Sequence, residues 1–156
     1  MVHIHIAENL YPEGEAGRID LNNLQRAAQI TLEYLHPQEQ VDCSIVITGD
    51  AGIQDYNRQY RQIDKPTDVL SFPSGEVDPD VGRRYLGDVI ISYPRAAAQA
   101  RSGNHPLDAE LQLLVVHGVL HLGGYDHAQS EARHKMTAAQ SEILARLGLH
   151  IAPPQM

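Results

Sequence analysis

The amino-acid sequence predicts an α/β or α+β fold in which one small mixed sheet lies beside a central helix. Four short runs rich in Val, Ile and Thr have the composition of strands. Several longer segments carry apolar residues at the spacing typical of helices with one buried face. The segment Leu111–Leu122 is apolar on nearly every side, which indicates a helix buried in the middle of the protein. A chain of 156 residues favours one domain spanning 1–156.

The first strand and the first helix have simple patterns. Val2–Ile6 alternates apolar residues with His3 and His5, so the two histidines share the outer face of a strand. Two histidines on a strand could in principle chelate a metal, but they are a weak signal. Asp20 is the predicted N-cap of an amphipathic helix that Pro37 ends.

The remaining strands are predicted from β-branched and apolar runs at Val41–Thr48, Thr67–Phe72 and Tyr85–Ser92. A short helix from about Ala51 to Tyr60 follows the first of them. An exposed loop, Ser74–Arg84, rich in glycine, proline and acidic residues, separates the last two.

Three helices complete the chain after the last strand. A helix near Pro94–Arg101 is followed by the apolar helix, which the segment 104–106 opens because proline is tolerated in the first turn. Ser130–Leu147 is the last amphipathic helix, and Gly148 closes it.

Composition restricts where the protein acts. The single cysteine, Cys43, excludes an internal disulfide network and is typical of a reducing cytosol. Cys43 lies inside a predicted strand, so we expect it to fill the core. No apolar run is long enough to cross a bilayer, and the first residues lack the pattern of a secretory signal. We therefore expect a cytoplasmic protein without a membrane partner.

Charge restricts the mode of RNA binding. The formal net charge of −8 argues against loose, sequence-independent binding to nucleic acid. An RNA partner would need a local basic patch. The candidates for such a patch are Arg58, Arg61, Lys65 and the pair Arg83-Arg84.

The strongest chemical signal is the segment 117–127, HGVLHLGGYDH. His117 and His121 are four residues apart, so a helix places them one turn apart on the same face. The glycines that follow can end the helix and turn the chain back, which would bring His127 to the same point. Three nitrogen ligands leave a fourth position for water, as in catalytic zinc sites. The spacing therefore predicts a hydrolytic metal site, rather than scattered structural histidines.

The chemistry of that site depends on the residues around it. Zinc held by three histidines lowers the pKa of a bound water from about 16 to near 7. The histidine spacing matches that of metzincin peptidases, but Gly118 stands where those enzymes carry the glutamate general base. Loss of that base costs roughly 100- to 10,000-fold in rate, so peptidase activity is disfavoured.

Two further residues are candidates for a role in the chemistry of the site. Arg61, at the end of a predicted helix, could hold a phosphate oxygen and stabilise developing charge. From its pattern alone, a solvated surface charge is the favoured interpretation of Arg61. Asp126, beside the third histidine, could orient an imidazole, act as a base, or simply form a turn.

These motifs resemble a known family. HGVLHLGGYDH closely resembles the signature of the YbeY family of bacterial endoribonucleases, and YRQIDKPTDVLSFP and YLGDVIIS resemble its second and third motifs. The resemblance implies a zincin-like α+β domain with a small four-stranded mixed sheet. It implies one zinc ion on His117, His121 and His127, with Arg61 and His117 as catalytic residues.

The resemblance also implies a function and its partners. The expected activity is metal-dependent cutting of single-stranded RNA in rRNA maturation, notably at the 3′ end of small-subunit rRNA, and in ribosome quality control. The expected partners are rRNA and the ribosome or its proteins, with no DNA. Two alternatives remain: a zinc peptidase or other metal-dependent hydrolase, and a non-catalytic ribosome assembly factor.

Overall fold

The computed structural model describes residues 1–7, 10, 19–80 and 82–151. Strands and helices are interspersed along these residues. In chain order they are β1 (Val2–Ile6), α1 (Leu21–Leu35), β2 (Val41–Thr48), α2 (Asp50–Arg61), β3 (Val69–Pro73), β4 (Arg84–Ser92), α3 (Tyr93–Gly103), α4 (Leu107–Leu122) and α5 (Ser130–Arg146). The predicted α+β class is confirmed.

The strands form one mixed sheet in the order β1-β2-β4-β3. Strands β1, β2 and β4 are parallel, and β3 runs antiparallel to β4 at the edge. Strand β3 begins at Val69, two residues later than predicted, and the backbone N–H of Val69 donates to Asp68 Oδ1 over 2.8 Å. The side chain of Asp68 therefore holds the chain just before β3. This segment lies outside the strand and can line a site beside the sheet.

Helix α4 lies at the centre of the protein. Every residue from 109 to 120 is buried, as predicted for a segment without a polar face. The helix packs on β3 and β4 on one side and on α1, α3 and α5 on the others. Each large apolar side chain buried there contributes roughly 1.5–3 kcal/mol. Groups carried by α4 are consequently held in fixed positions.

The opposite face of the sheet is covered less completely. Helix α2 packs there over a small buried cluster of Ile53, Leu70 and Ile90. His3 and His5 lie on the exposed side of β1, as their alternation predicted. Part of this face is thus open to solvent beside α2.

The ends of several elements agree with the sequence patterns. Asp20 is the N-cap of α1, where its Oδ1 accepts from the backbone N–H of Asn23 over 3.2 Å. Helix α3 begins one residue earlier than predicted because Ser92 caps it through the backbone N–H of Arg95. Cys43 is fully buried in β2, and burial raises the pKa of its thiol to about 12. No helix in the described part of the chain is long and apolar enough to span a membrane.

Candidate metal centre

Helix α4 positions two of the three predicted ligands. His117 and His121 project from adjacent turns, with the Nε2 atoms of their rings 3.2 Å apart. His117 is only 7% exposed, whereas His121 is half-buried. The rigid core around α4 therefore holds two imidazole nitrogens close enough to bind one ion.

A glycine turn brings the third histidine to the same place. The backbone N–H of Gly124 donates to His121 and that of Tyr125 to Leu120, over 3.0 and 3.1 Å, in the pattern of a Schellman motif. Gly124 has φ of +95°, which only glycine adopts readily. Beyond this turn His127 returns to the helix end, and one ligand nitrogen from each of the three histidines lies within 4.8 Å of the others.

The tautomer of His117 is set by α5. Its Nδ1 lies 2.7 Å from Oε1 of the fully buried Gln140, so Nδ1–H donates to this amide oxygen. The Nε2 of His117 then carries a lone pair and points at the Nε2 of His121. A cation between these nitrogens would satisfy both, and the donor set, three neutral imidazoles, is one that zinc accepts.

Electrostatics keep the rings in the form that binds metal. Burial, and then the neighbouring His117 and His127, lower the pKa of His121 to about 4. Burial also lowers the pKa of His117, against the hydrogen bond to Gln140, which raises it. Both rings are therefore neutral at pH 7, with lone pairs available to an ion.

The histidines open into a cavity of about 640 Å³, called here the histidine cleft. Its walls come from the end of α2, from 67–73 and from the segment that carries the ligands. The lining residues are Tyr60, Arg61, Thr67, Asp68, Val69, Leu70, Ser71, Phe72, Pro73, His117, His121, Asp126 and His127. Within the described residues no fourth metal-binding side chain joins the three histidines. The cleft thus leaves room for water and substrate beside them.

Arg61 lies in this cleft, at the last position of α2. Gln62 ends the helix in the left-handed conformation, with φ of 57°, so the chain turns sharply after Arg61. The buried Asn57 braces the turn by donating from Nδ2 to the carbonyl of Lys65 over 2.9 Å. The Arg61 side chain makes no hydrogen bond or ion pair with any described residue. Its guanidinium is available to an anionic ligand.

The other candidate cations do not form the predicted patch. Arg83 lines a different cavity and binds Asp42. Arg84 lies 2.9 Å from Glu39. Neither residue lines the histidine cleft, and a role for them in binding RNA stays a prediction. Arg58 is paired with Asp55 at 2.6 Å on the outer side of α2. Among the described residues that line the cleft, Arg61 is the one lysine or arginine.

Asp126 makes the contacts that are expected of a residue that forms a turn. Its Oδ1 accepts from the backbone N–H groups of His127 and Ala128, over 2.7 and 3.3 Å. It also lines the cleft, and its charge raises the pKa of His121 against the stronger effect of burial. The turn role is therefore present, and a role in proton transfer stays a prediction.

Gly118 lies against the sheet. A Cβ atom at this position would be 2.4 Å from Cγ1 of the buried Val89. Its carbonyl accepts from Ser71 Oγ over 2.8 Å, which ties α4 to the edge strand β3. A larger side chain here would collide with the Val89 side chain, so glycine allows the close packing of α4 on β4.

Two residues of the site, Gln140 and Asp68, were not predicted from the sequence. Gln140 is a polar residue on the buried side of α5, between Met136 and Ile143, and this position was its signal. Asp68 was missed although it lines the cleft, where Gln99 Nε2 donates to its Oδ2 over 3.2 Å. Its proximity to a histidine could not be read from a loop without regular periodicity.

Comparisons with known proteins agree with this geometry. The family model described as Endoribonuclease YbeY matches residues 13–148. A relative with that name from Roseiflexus sp. (strain RS-1) is 44% identical over 140 residues, covering 86% of this chain and 88% of its own. One from Pelotomaculum thermopropionicum is 46% identical over 129 residues, covering 81% and 85%. The solution structure of TM1509 from Thermotoga maritima has a TM-score of 0.54 and 27% identity, covering 94% of this chain and 91% of that one.

Proposed function

Since the chain belongs to the YbeY family of endoribonucleases, we propose that it cuts single-stranded RNA with the help of one zinc ion. The observation that carries the proposal is the convergence of three histidine nitrogens within 4.8 Å of one another, in the same cleft as the unpaired Arg61. Neutral nitrogen ligands suit a divalent metal, and a free guanidinium suits a phosphate. Metal-assisted cleavage of a phosphodiester uses both the ligands that hold the metal and the cation that holds the phosphate.

The proposed roles follow from the contacts of each residue. His117, His121 and His127 would hold the ion, which supplies Lewis acidity and a bound water of lowered pKa. Gln140 keeps Nδ1 of His117 protonated and thereby leaves Nε2 for the metal. Arg61 would donate to a non-bridging oxygen of the scissile phosphate and stabilise the negative charge that grows during attack.

The cellular role is proposed from the family. We expect the protein to mature rRNA, at the 3′ end of the small-subunit rRNA, and to take part in ribosome quality control. Its partners would be single-stranded rRNA and the ribosome or ribosomal proteins, in the cytoplasm and without DNA. The net charge of −8 favours a partner that presents the RNA over nonspecific capture from solution.

The alternatives are weaker. A zinc peptidase lacks its general base, because Gly118 has no room for one beside Val89. A non-catalytic assembly factor would use the metal only to brace the fold, and the open cleft with Arg61 argues against that. An Arg61→Glu protein that keeps its zinc and still supports rRNA processing in cells would favour the assembly factor.

The test replaces a proposed metal ligand, His117, and an exposed histidine, His134, in two separate variants. His117→Ala should lose both zinc, measured by elemental analysis, and cutting of a single-stranded RNA oligonucleotide. The control His134→Ala changes an exposed histidine on α5 and should keep both. The same RNA annealed to its complement should be spared. Cutting that survives strict removal of metal would reject the mechanism.

A further inference from the structure

Three aromatic rings lie at the edge of the histidine cleft. Tyr56 and Tyr60 occupy successive turns of α2, with ring centroids 6.3 Å apart and planes inclined by 21°. Phe72 of β3 completes the group, 5.2 Å from Tyr60 and 6.2 Å from Tyr56. These three residues are called the aromatic platform below. Two of them, Tyr60 and Phe72, also line the histidine cleft.

Tyr60 is the exposed member of the platform. It is 63% exposed, an unusual state for a large aromatic side chain. Its hydroxyl has no hydrogen-bond partner among the described residues. It directly precedes Arg61, so the ring and the guanidinium leave the same helix end. Packing of the core does not account for an aromatic ring in this position.

The platform continues into a second cavity of about 410 Å³ on the open face of the sheet, called here the sheet cavity. Tyr60 and Phe72 line both cavities, so the two cavities are neighbours on either side of these rings. The size falls within the roughly 300–1,000 Å³ of small-molecule sites. Its lining residues are His3, Ile4, His5, Ser44, Val46, Tyr56, Tyr60, Phe72, Asp88 and Ile90.

The chemistry of the sheet cavity favours a base over a phosphate. Its lining contains no lysine or arginine among the described residues, and it contains the carboxylate of Asp88. A phosphate would be repelled by this carboxylate unless a cation compensated for it. A nucleobase presents an apolar face to aromatic rings and a polar edge to groups such as Ser44, His3 and Asp88.

We propose that the aromatic platform is a nucleobase subsite that takes one unpaired base of the RNA, next to the phosphate held by Arg61. The inference rests on the proposed endoribonuclease function and adds how the substrate is bound. Stacking needs a base free of its complementary strand, so the subsite contributes to selection for single-stranded RNA. It also supplies affinity without cations to an acidic protein in which Arg61 is the one arginine among the described residues that line the cleft.

The test measures binding to a 2′-O-methyl RNA oligonucleotide by fluorescence anisotropy with the zinc-loaded protein, and a denaturing gel of each sample checks that the strand is still uncut. Tyr60→Ala should weaken binding by roughly 5- to 150-fold, the range expected for loss of one base–aromatic stack. Tyr60→Phe keeps the ring and should bind within about twofold of the wild type. Gln59→Ala, an exposed neighbour that lines neither cavity, is the matched control and should be unchanged.

A second measurement uses the unaltered protein. Oligonucleotides with one abasic position, moved step by step along the strand, should reveal a single position near the cut where removal of the base weakens binding by a similar factor. At that position Tyr60→Ala should show no further loss, because the same stack has already been removed. In cleavage assays Tyr60→Ala should raise KM and leave kcat nearly unchanged.

The outcomes separate this subsite from the wider function. If the wild type cuts RNA and Tyr60→Ala binds as tightly as the wild type, the subsite is rejected while the endoribonuclease function stands. Equal sensitivity to abasic substitution in both proteins would also reject it. If the zinc-loaded wild type neither binds nor cuts single-stranded RNA, the proposed function and the subsite fall together.

Discussion

His117 on α4 donates from Nδ1 to Oε1 of Gln140 on α5 over 2.7 Å, and both side chains are buried. This bond links the candidate metal ligand to a helix that provides no ligand of its own. It fixes both the tautomer and the orientation of the imidazole, as an outer hydrogen-bond partner does in metal sites. The contribution of α5 to the metal centre is therefore open to a direct test.

Gln140→Leu should weaken zinc binding by roughly 10- to 100-fold, because Nδ1 of His117 loses its acceptor and the ring its orientation. Competition with a chromophoric chelator measures the affinity. Ser141→Ala, an exposed neighbour on α5, should bind zinc like the wild type. Unchanged affinity in Gln140→Leu would show that the core alone orients His117.

Arg61→Ala should lower kcat/KM for RNA cleavage by roughly 100- to 1,000-fold, since a donor to developing charge is lost. Zinc content and the thermal midpoint should not change, because the Arg61 side chain makes no hydrogen bond or ion pair with any described residue. Arg58→Ala is a matched control on the same helix, as Arg58 is already paired with Asp55 at 2.6 Å. Similar losses in both variants would mean that general positive charge matters, and not the position of Arg61.

Gly118→Ala should destabilise the protein by roughly 1–3 kcal/mol in urea unfolding, as expected for overpacking of a core. The added Cβ would be 2.4 Å from Cγ1 of Val89. Gly75→Ala, where no atom lies within 4 Å of an added Cβ, should have little effect. The double variant Gly118→Ala/Val89→Ala should lose less free energy of unfolding than the sum of the losses in the two single variants. A Gly118→Ala protein that gains stability would contradict the close approach of α4 to β4.

Asp42→Asn should cost roughly 1 kcal/mol of stability at pH 7. The hydrogen bonds from Arg83, with Nε 3.1 Å from Oδ1, lower the pKa of Asp42 to about 2. A lowered pKa means that the folded state favours the carboxylate, so its stabilisation is complete above the ordinary aspartate pKa of about 3.9 and is lost as pH falls towards 2.

Urea unfolding at several pH values checks this expectation. The difference in the free energy of unfolding between the wild type and Asp42→Asn should shrink steadily as the pH falls from about 4 towards 2. Asp55→Asn alters a more exposed pair, with Asp55 56% and Arg58 54% exposed, and should change stability little at any pH. If the difference in the free energy of unfolding between the two proteins stays constant with pH, Asp42 contributes through packing and not through its charge.

Much of the fold and the ligand set could be predicted because the patterns that encode them are local. The alternation of Val2–Ile6 and the apolar run of α4 each identify an element without reference to distant residues. The spacing of His117 and His121 fixes their relation within one helix, and Gly124 lies only three residues beyond His121. A short stretch of chain therefore determines where the third ligand, His127, can lie.

The surroundings of the ligands depend on contacts between elements far apart in the chain. The packing of α5 on α4 brings Gln140 to His117, and the pairing of β3 with β4 places Phe72 beside Tyr60. No local pattern encodes such distances.

By itself, the sequence determined that three histidines can share an ion, because the geometry of a helix and its terminal turn is set by residues close in the chain. Tertiary structure alone decided which polar and aromatic groups lie around the three histidines. The reason is that burial of apolar surface selects how helices and strands pack, and only packing brings Gln140, Arg61 and Tyr60 to one site.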